Sequence, residues 1–154
     1  MKYMFEIIKL NSRVIEDIEK ILSTNKFEDY SKDTCTVNGF QTNNIIDIFS
    51  KDLLKQMIPY QDFSERTFHI HYINYRDHGY QEKHNHITTE KFSFILYLND
   101  SDGDTVFEEP INRKVTPEKG NLIIFSSDIL HYANETFKNK RVLVGAIDVL
   151  NWSI

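Results

Sequence analysis

Six histidines fall at positions 69, 71, 78, 84, 86 and 131, five of them between His69 and His86. A neutral imidazole suits zinc, copper, iron and nickel, so clustering of this kind points to metal chemistry. His69-Ile70-His71 and His84-Asn85-His86 are both His-x-His pairs. Residues i and i+2 of an extended chain point to the same side, so either pair can offer two imidazoles to one ion. The first pair alternates with Phe68, Ile70 and Tyr72 in a strand pattern, one set facing the core and the other solvent or a second sheet, and a structural role is its ordinary reading. The second pair follows the polar stretch Gly79-Tyr80-Gln81-Glu82-Lys83 and precedes Ile87-Thr88-Thr89, a strand-end or loop setting in which ligands are common. His131, just beyond the apolar run from Leu122 to Phe125, supplies a third imidazole at a spacing that a folded-back β-sandwich can bring to the other two.

Arg141 opens an otherwise apolar strand from 141 to 149. A lone arginine there is ordinarily a strand-end charge kept in water. Beside the histidines it suggests an acidic co-substrate reaching from metal to guanidinium, because arginine holds a carboxylate in bidentate fashion. Glu82 and Glu90 are nearby carboxylates, but glutamate is usually solvated. Cys35, the single cysteine, sits among Asp33, Thr34 and Thr36; it cannot form an internal disulfide, which suits a reducing compartment.

The elements that must position these groups are legible in outline. From Ser12 to Leu22 apolar residues at 14, 15, 18, 21 and 22 mark one helical face, with Asn11 or Ser12 as N-cap. A second helical stripe covers Asn44 to Met57 and stops before Pro59. The polar stretch from Thr24 to Asn43 is expected to include a short strand. Beyond Arg66, β-branched and aromatic runs at 67–75, 92–98, 105–108, 113–116, 122–125 and 142–149 read as strands. Arg76-Asp77-His78-Gly79, the segment Asn99 to Asp104 and Pro117-Glu118-Lys119-Gly120 read as turns. Two helices followed by many short strands predict an α+β arrangement, a jelly roll braced by N-terminal helices: one domain over 1–154, with mainly helical support at 1–60 and the site-bearing core at 66–150.

Composition narrows the function. The 154 residues carry 18 Lys+Arg against 23 Asp+Glu, a formal charge of −5. No basic block is present, and a nucleic-acid partner is not expected, since phosphate-tracking surfaces need clustered cations. No apolar run approaches the roughly 20 residues that span a bilayer. The start, Met1-Lys2-Tyr3-Met4-Phe5-Glu6-Ile7-Ile8, lacks the apolar core and cleavage site of a secretory signal, so the chain is expected to be cytoplasmic and this segment part of the fold. Asp100, Asp102 and Asp104 hint at a cationic or neutral partner.

From about Thr67 to Val149 the order of these pieces resembles the Fe(II)/2-oxoglutarate-dependent oxygenases, most closely their prolyl-hydroxylase-like branch. The series is a strand ending in Tyr75, a Gly-containing loop, His84, the strand from Phe92 to Asn99, Gly103-Asp104-Thr105-Val106-Phe107, the segment Val115 to Phe125, His131 and Arg141. The resemblance implies a double-stranded β-helix that takes Fe(II), with 2-oxoglutarate as co-substrate and O2. It implies metal ligation by His84 and His131, pairing of Arg141 and Tyr97 with the remote carboxylate of 2-oxoglutarate, and a pocket-lining role for Tyr75. The substrate would be a protein residue of prolyl type or a small amino-acid-like molecule, and in so short a chain an oligomer or a protein substrate could complete the pocket.

One position departs from the family. Where His-x-Asp is the pattern, this chain has His86. Two imidazoles and a carboxylate leave a divalent ion singly positive, whereas three imidazoles leave it doubly positive. His86 is read as a third metal ligand, with the alternative that it points away and leaves two protein ligands and an open position. Two other readings stay open beside the oxygenase: a non-catalytic jelly-roll binding module with a degenerate metal site, and a three-histidine dioxygenase that does not use 2-oxoglutarate.

Overall fold

The structure is a computed structural model that describes residues 3–58, 67–86 and 92–148. It is a curled antiparallel sheet carrying two helices on its convex face, a jelly roll of the double-stranded β-helix type. The elements are β1 (Phe5–Lys9), α1 (Ser12–Thr24), β2 (Thr36–Gln41), a short 3-10 turn (Ile46–Ile48), α2 (Lys51–Met57), β3 (Thr67–His84), β4 (Phe92–Tyr97), β5 (Thr105–Phe107), β6 (Arg113–Val115), β7 (Asn121–Ser126), β8 (His131–Thr136) and β9 (Lys140–Asp148). Strand order is β1-β7-β4-β9-β3-β8-β5-β6, with β2 also paired to β3. No described helix is long and apolar enough to cross a membrane.

β3 is the hinge of the architecture. Its first half pairs with β9, from Thr67 opposite Asp148 to Tyr75 opposite Lys140. Its second half pairs with β8, ending with His84 opposite His131. The expected turn at Arg76 to Gly79 is instead an irregularity within this strand. His78 takes a positive φ of 64°, and a Cβ on Gly79 would lie 2.5 Å from the Asn38 carbonyl and 2.7 Å from that of Arg76. Turn-forming chemistry here bends a continuing strand from its pairing with β9 to its pairing with β8.

The inward and outward faces of the sheet bury separate apolar clusters. Outside, Ile70, Phe94, Leu96, Leu122, Ile124 and Leu143 pack beneath the helices with Ile15, Ile18, Leu53 and Met57. Inside, Ile73, Tyr75, Ile95, Tyr97, Phe125 and Val142 fill the barrel. Each fully buried side chain of this size contributes about 1.5–3 kcal/mol of transfer free energy. Strands buried on both sides cannot show a polar-apolar alternation.

Asn11 is the N-cap of α1, its side-chain oxygen accepting from the Arg13 amide at 2.8 Å. The single helix expected over Asn44 to Met57 is divided. Phe49 turns extended after the 3-10 turn, and Ser50 caps α2 by accepting from the Leu53 amide. The segment before residue 60 also contributes two strands, β1 and β2, so it is not only helical support. β1 extends the sheet beside β7, from Phe5 opposite Phe125 to Lys9 opposite Asn121.

Candidate metal centre

His84 is the last residue of β3, His86 follows two positions later, and His131 opens β8 directly opposite His84. The amide of His86 donates to the Ser127 carbonyl at 2.8 Å, tying the second histidine to the loop that leads to the third. One ligand nitrogen from each ring lies within 4.8 Å of the other two. Ring centres are separated by 4.3 Å for His84 and His131, 4.9 Å for His84 and His86, and 5.8 Å for His86 and His131.

Hydrogen bonds set two of the tautomers. His84 Nδ1–H donates to the Glu82 carbonyl at 2.7 Å, and His131 Nδ1–H donates to the Ile129 carbonyl at 3.0 Å. Each leaves its Nε2 lone pair for a metal, the outer hydrogen bond orienting the ring as in many metal sites. Phe125 meets His131 edge-on at 4.8 Å, and Phe107 stacks on it at 5.8 Å. This apolar packing pushes the His131 pKa down to about 3, with the neighbouring imidazoles of His84 and His86 adding to the effect. Burial also lowers that of His84, against the opposing bond to Glu82. Both rings are thus neutral and ligand-ready at neutral pH. Three imidazoles fit a divalent first-row ion, which His84, His86 and His131 would hold. Glu82 lies outside this group and is solvent-exposed, and Glu90 lies outside the described residues.

The expected carboxylate clamp is placed differently. Arg141 faces outward, its guanidinium donating to both carboxylate oxygens of Glu19 on α1 at 2.8 and 2.7 Å. That pairing, with a hydrogen bond to Tyr72, holds its pKa above the ordinary arginine value. Arg141 therefore pins the helix to the sheet, which corrects its assignment to the metal side. Strand alternation turns the preceding residue inward instead. Lys140 is buried, donates to the Gly103 carbonyl at 2.6 Å and sits 4.8 Å from the centre of the Tyr75 ring. Desolvation lowers its pKa to about 8 against the pull of Asp104 and Asp102.

Tyr97 and Tyr75 are both buried inside the barrel. The Tyr97 hydroxyl shares a 2.6 Å hydrogen bond with Thr105, and burial raises the pKa of both phenols. These residues and Lys140 line a narrow recess. The recess adjoins a cavity of about 170 Å³ lined by the three histidines, and Gln81, Ile95 and Val144 line both. Asp102 and Asp100 do not face this space. Asp102 accepts from the Thr136 hydroxyl and the Phe137 and Lys138 amides, and Asp100 accepts from the Lys119 amide. Their charge serves the turns and says nothing of a partner.

No protein-family model matches the chain, and no curated protein matches it in sequence. Solved structures do match in shape. A 2OG-Fe(II) oxygenase family oxidoreductase from Burkholderia pseudomallei aligns with TM-score 0.69 at 13% identity, over 94% of this chain and 84% of its own. A prolyl hydroxylase from Trichoplax adhaerens, in complex with a hypoxia inducible factor oxygen degradation domain peptide fragment, aligns with TM-score 0.68 at 14% identity, over 94% and 83%. HygX from Streptomyces hygroscopicus, with nickel, 2-oxoglutarate and hygromycin B bound, aligns with TM-score 0.67 at 9% identity, over 95% and 82%. The fold is that of the 2OG-Fe(II) oxygenases, prolyl hydroxylases among them.

Proposed function

We propose that this protein is an Fe(II)- and 2-oxoglutarate-dependent dioxygenase that hydroxylates a protein residue of prolyl type or a small amino-acid-like substrate. The observation that carries the reading is a pair of adjoining spaces inside the barrel that share Gln81, Ile95 and Val144 as walls. Three converging imidazoles line one, and a buried lysine beside a hydrogen-bonded tyrosine and threonine lines the other. Two histidines without the customary acid would be weak support. The third imidazole closes the ligand set with a neutral group, and doubly negative 2-oxoglutarate balances a doubly positive centre.

His84, His86 and His131 would hold the iron, which supplies the oxidative chemistry when bound with 2-oxoglutarate and O2. Lys140 would hold the remote carboxylate, with Tyr97 and Thr105 as hydrogen-bond partners. A carboxylate arriving there replaces the Gly103 carbonyl as the strongest partner of the ammonium and raises its lowered pKa. Phe107 and Phe125 keep water from the inner side of His131. One structural neighbour is in complex with a peptide fragment and another has hygromycin B bound, so this fold accommodates ligands of both sizes.

The test is succinate release from 2-oxoglutarate by the Fe(II)-loaded protein in air, without added substrate. Slow, iron-dependent succinate formation is expected. Iron bound with no succinate formed would favour the three-histidine dioxygenase reading, and failure to bind iron would favour the non-catalytic module.

A further inference from the structure

The His69-His71 pair is the sequence motif that this function leaves unused. Alternation along β3 places His69 and His71 on the same face as Ile73 and Tyr75, inside the barrel. Both line the cavity that holds His84, His86 and His131, so five of the six histidines share one space. Their ring centres are 5.1 Å apart, at an interplanar angle of 69°. The ordinary structural reading of this pair does not describe where it sits.

His71 Nδ1–H donates to the Thr42 carbonyl at 3.0 Å. That bond fixes the ring on the β2-side wall of the cavity, as the carbonyls of Glu82 and Ile129 fix His84 and His131. Gln41, Gln81 and Ser93 add neutral polar groups to the same space. Among the described residues that line it there is no carboxylate and no lysine or arginine. A divalent ion on three neutral ligands adds positive charge that no acidic side chain in the cavity offsets. A cationic substrate would find no counter-ion among the side chains of such a space. Two imidazoles alone are a poor second metal site, since resident ions ordinarily take three or more protein ligands.

We propose that His69 and His71 form the recognition subsite for the primary substrate, and that this substrate carries a carboxylate. The inference rests on the oxygenase reading, because it takes the other three histidines as occupied by metal. His69 would meet the carboxylate with an N–H, and His71, whose Nδ1–H is held by Thr42, would meet it through Nε2 as the imidazolium; no acidic side chain lining the cavity opposes the anion.

The experiment separates the two claims. Protein labelled at its histidine rings is loaded with Zn(II), a redox-inert stand-in, and 2-oxoglutarate, and the ring signals are followed by NMR. Free amino acids are then added at millimolar concentration, beside their primary amides. The His69→Gln and His71→Gln variants assign the two signals. Response of the His84, His86 and His131 rings to Zn(II) tests the metal reading alone. Given that response, the proposal expects the His69 and His71 signals to move with at least one amino acid and not with its amide. It also expects each variant to weaken that amino acid's binding by about tenfold or more with Zn(II) affinity unchanged. If no amino acid moves these two signals, or if amides move them equally, the carboxylate subsite is wrong while the metal reading stands.

Discussion

Replacing Lys140 with Met removes the one buried cation inside the barrel among the described residues while keeping a side chain of similar length. In the free protein its ammonium is held by a single 2.6 Å bond to the Gly103 carbonyl and by the face of Tyr75. Burial has lowered its pKa from the ordinary 10.5 to about 8, which corresponds to on the order of 3 kcal/mol against the charged form. A carboxylate partner recovers much of that. A charged hydrogen bond is worth about 1.5–3 kcal/mol, so Lys140→Met is expected to weaken 2-oxoglutarate binding by roughly tenfold to a hundredfold. The assay is calorimetric titration of 2-oxoglutarate into the anaerobic Fe(II) protein, with iron affinity measured in parallel and expected to hold. Wild-type affinity should also fall as pH rises through about 8, where the free lysine loses its proton. Arg141→Gln is the control. It breaks the bidentate bond to Glu19, lowering stability by about 1–2 kcal/mol for a half-buried pair, and should leave 2-oxoglutarate affinity nearly unchanged. Loss of co-substrate binding in Arg141→Gln with full retention in Lys140→Met would refute the assignment.

Other expectations concern the metal centre and the barrel around it. His84→Ala, His86→Ala and His131→Ala should each weaken Fe(II) binding by tenfold or more, and His86→Asp should keep it; iron bound by His86→Ala as tightly as by the parent would exclude a third histidine ligand. The metal-free protein should lose stability as pH falls from about 6.5 toward 3, because His131 stays neutral when folded and takes up a proton when unfolded. Unfolding at a series of acidic pH values, compared with His131→Phe, measures this, and parallel curves would argue against it. Gly145→Ala should unfold the barrel or lower its melting temperature sharply. A Cβ there collides with the His69 carbonyl and lies 2.6 Å from the Phe94 ring; an unchanged melting temperature would show that β3 and β9 can separate without penalty.

The metal histidines were legible because their setting is local. A polar stretch ends a strand at His84, and an apolar run ends just before His131, so both could be placed at strand ends without knowing the fold. Lys140 was not legible. The run Val142-Leu143-Val144 is apolar on both faces because one face meets the helices and the other the barrel. No alternation in it reveals which of two adjacent cations turns inward. Glu19 is the partner that decides the matter, and it stands 122 positions away. His69 and His71 escaped for a related reason: a clear strand pattern gives the two faces but does not say which one looks into a cavity. The tetrad from Arg76 to Gly79 has the composition of a turn, yet pairing with β8 continues beyond it. Turn residues and bulge residues share the same tolerance of positive φ. β1 was read as part of the fold, but its pairing with β7 joins residues more than a hundred positions apart.

The central claim is that three histidines hold iron and that 2-oxoglutarate binds beside it inside the barrel. Anaerobic titration of the metal-free protein with Fe(II) and then 2-oxoglutarate tests it most directly, through the weak visible charge-transfer band of a co-substrate chelated to iron. One equivalent of iron followed by a saturable band is the expected result. Iron binding with no band at any 2-oxoglutarate concentration would contradict the account.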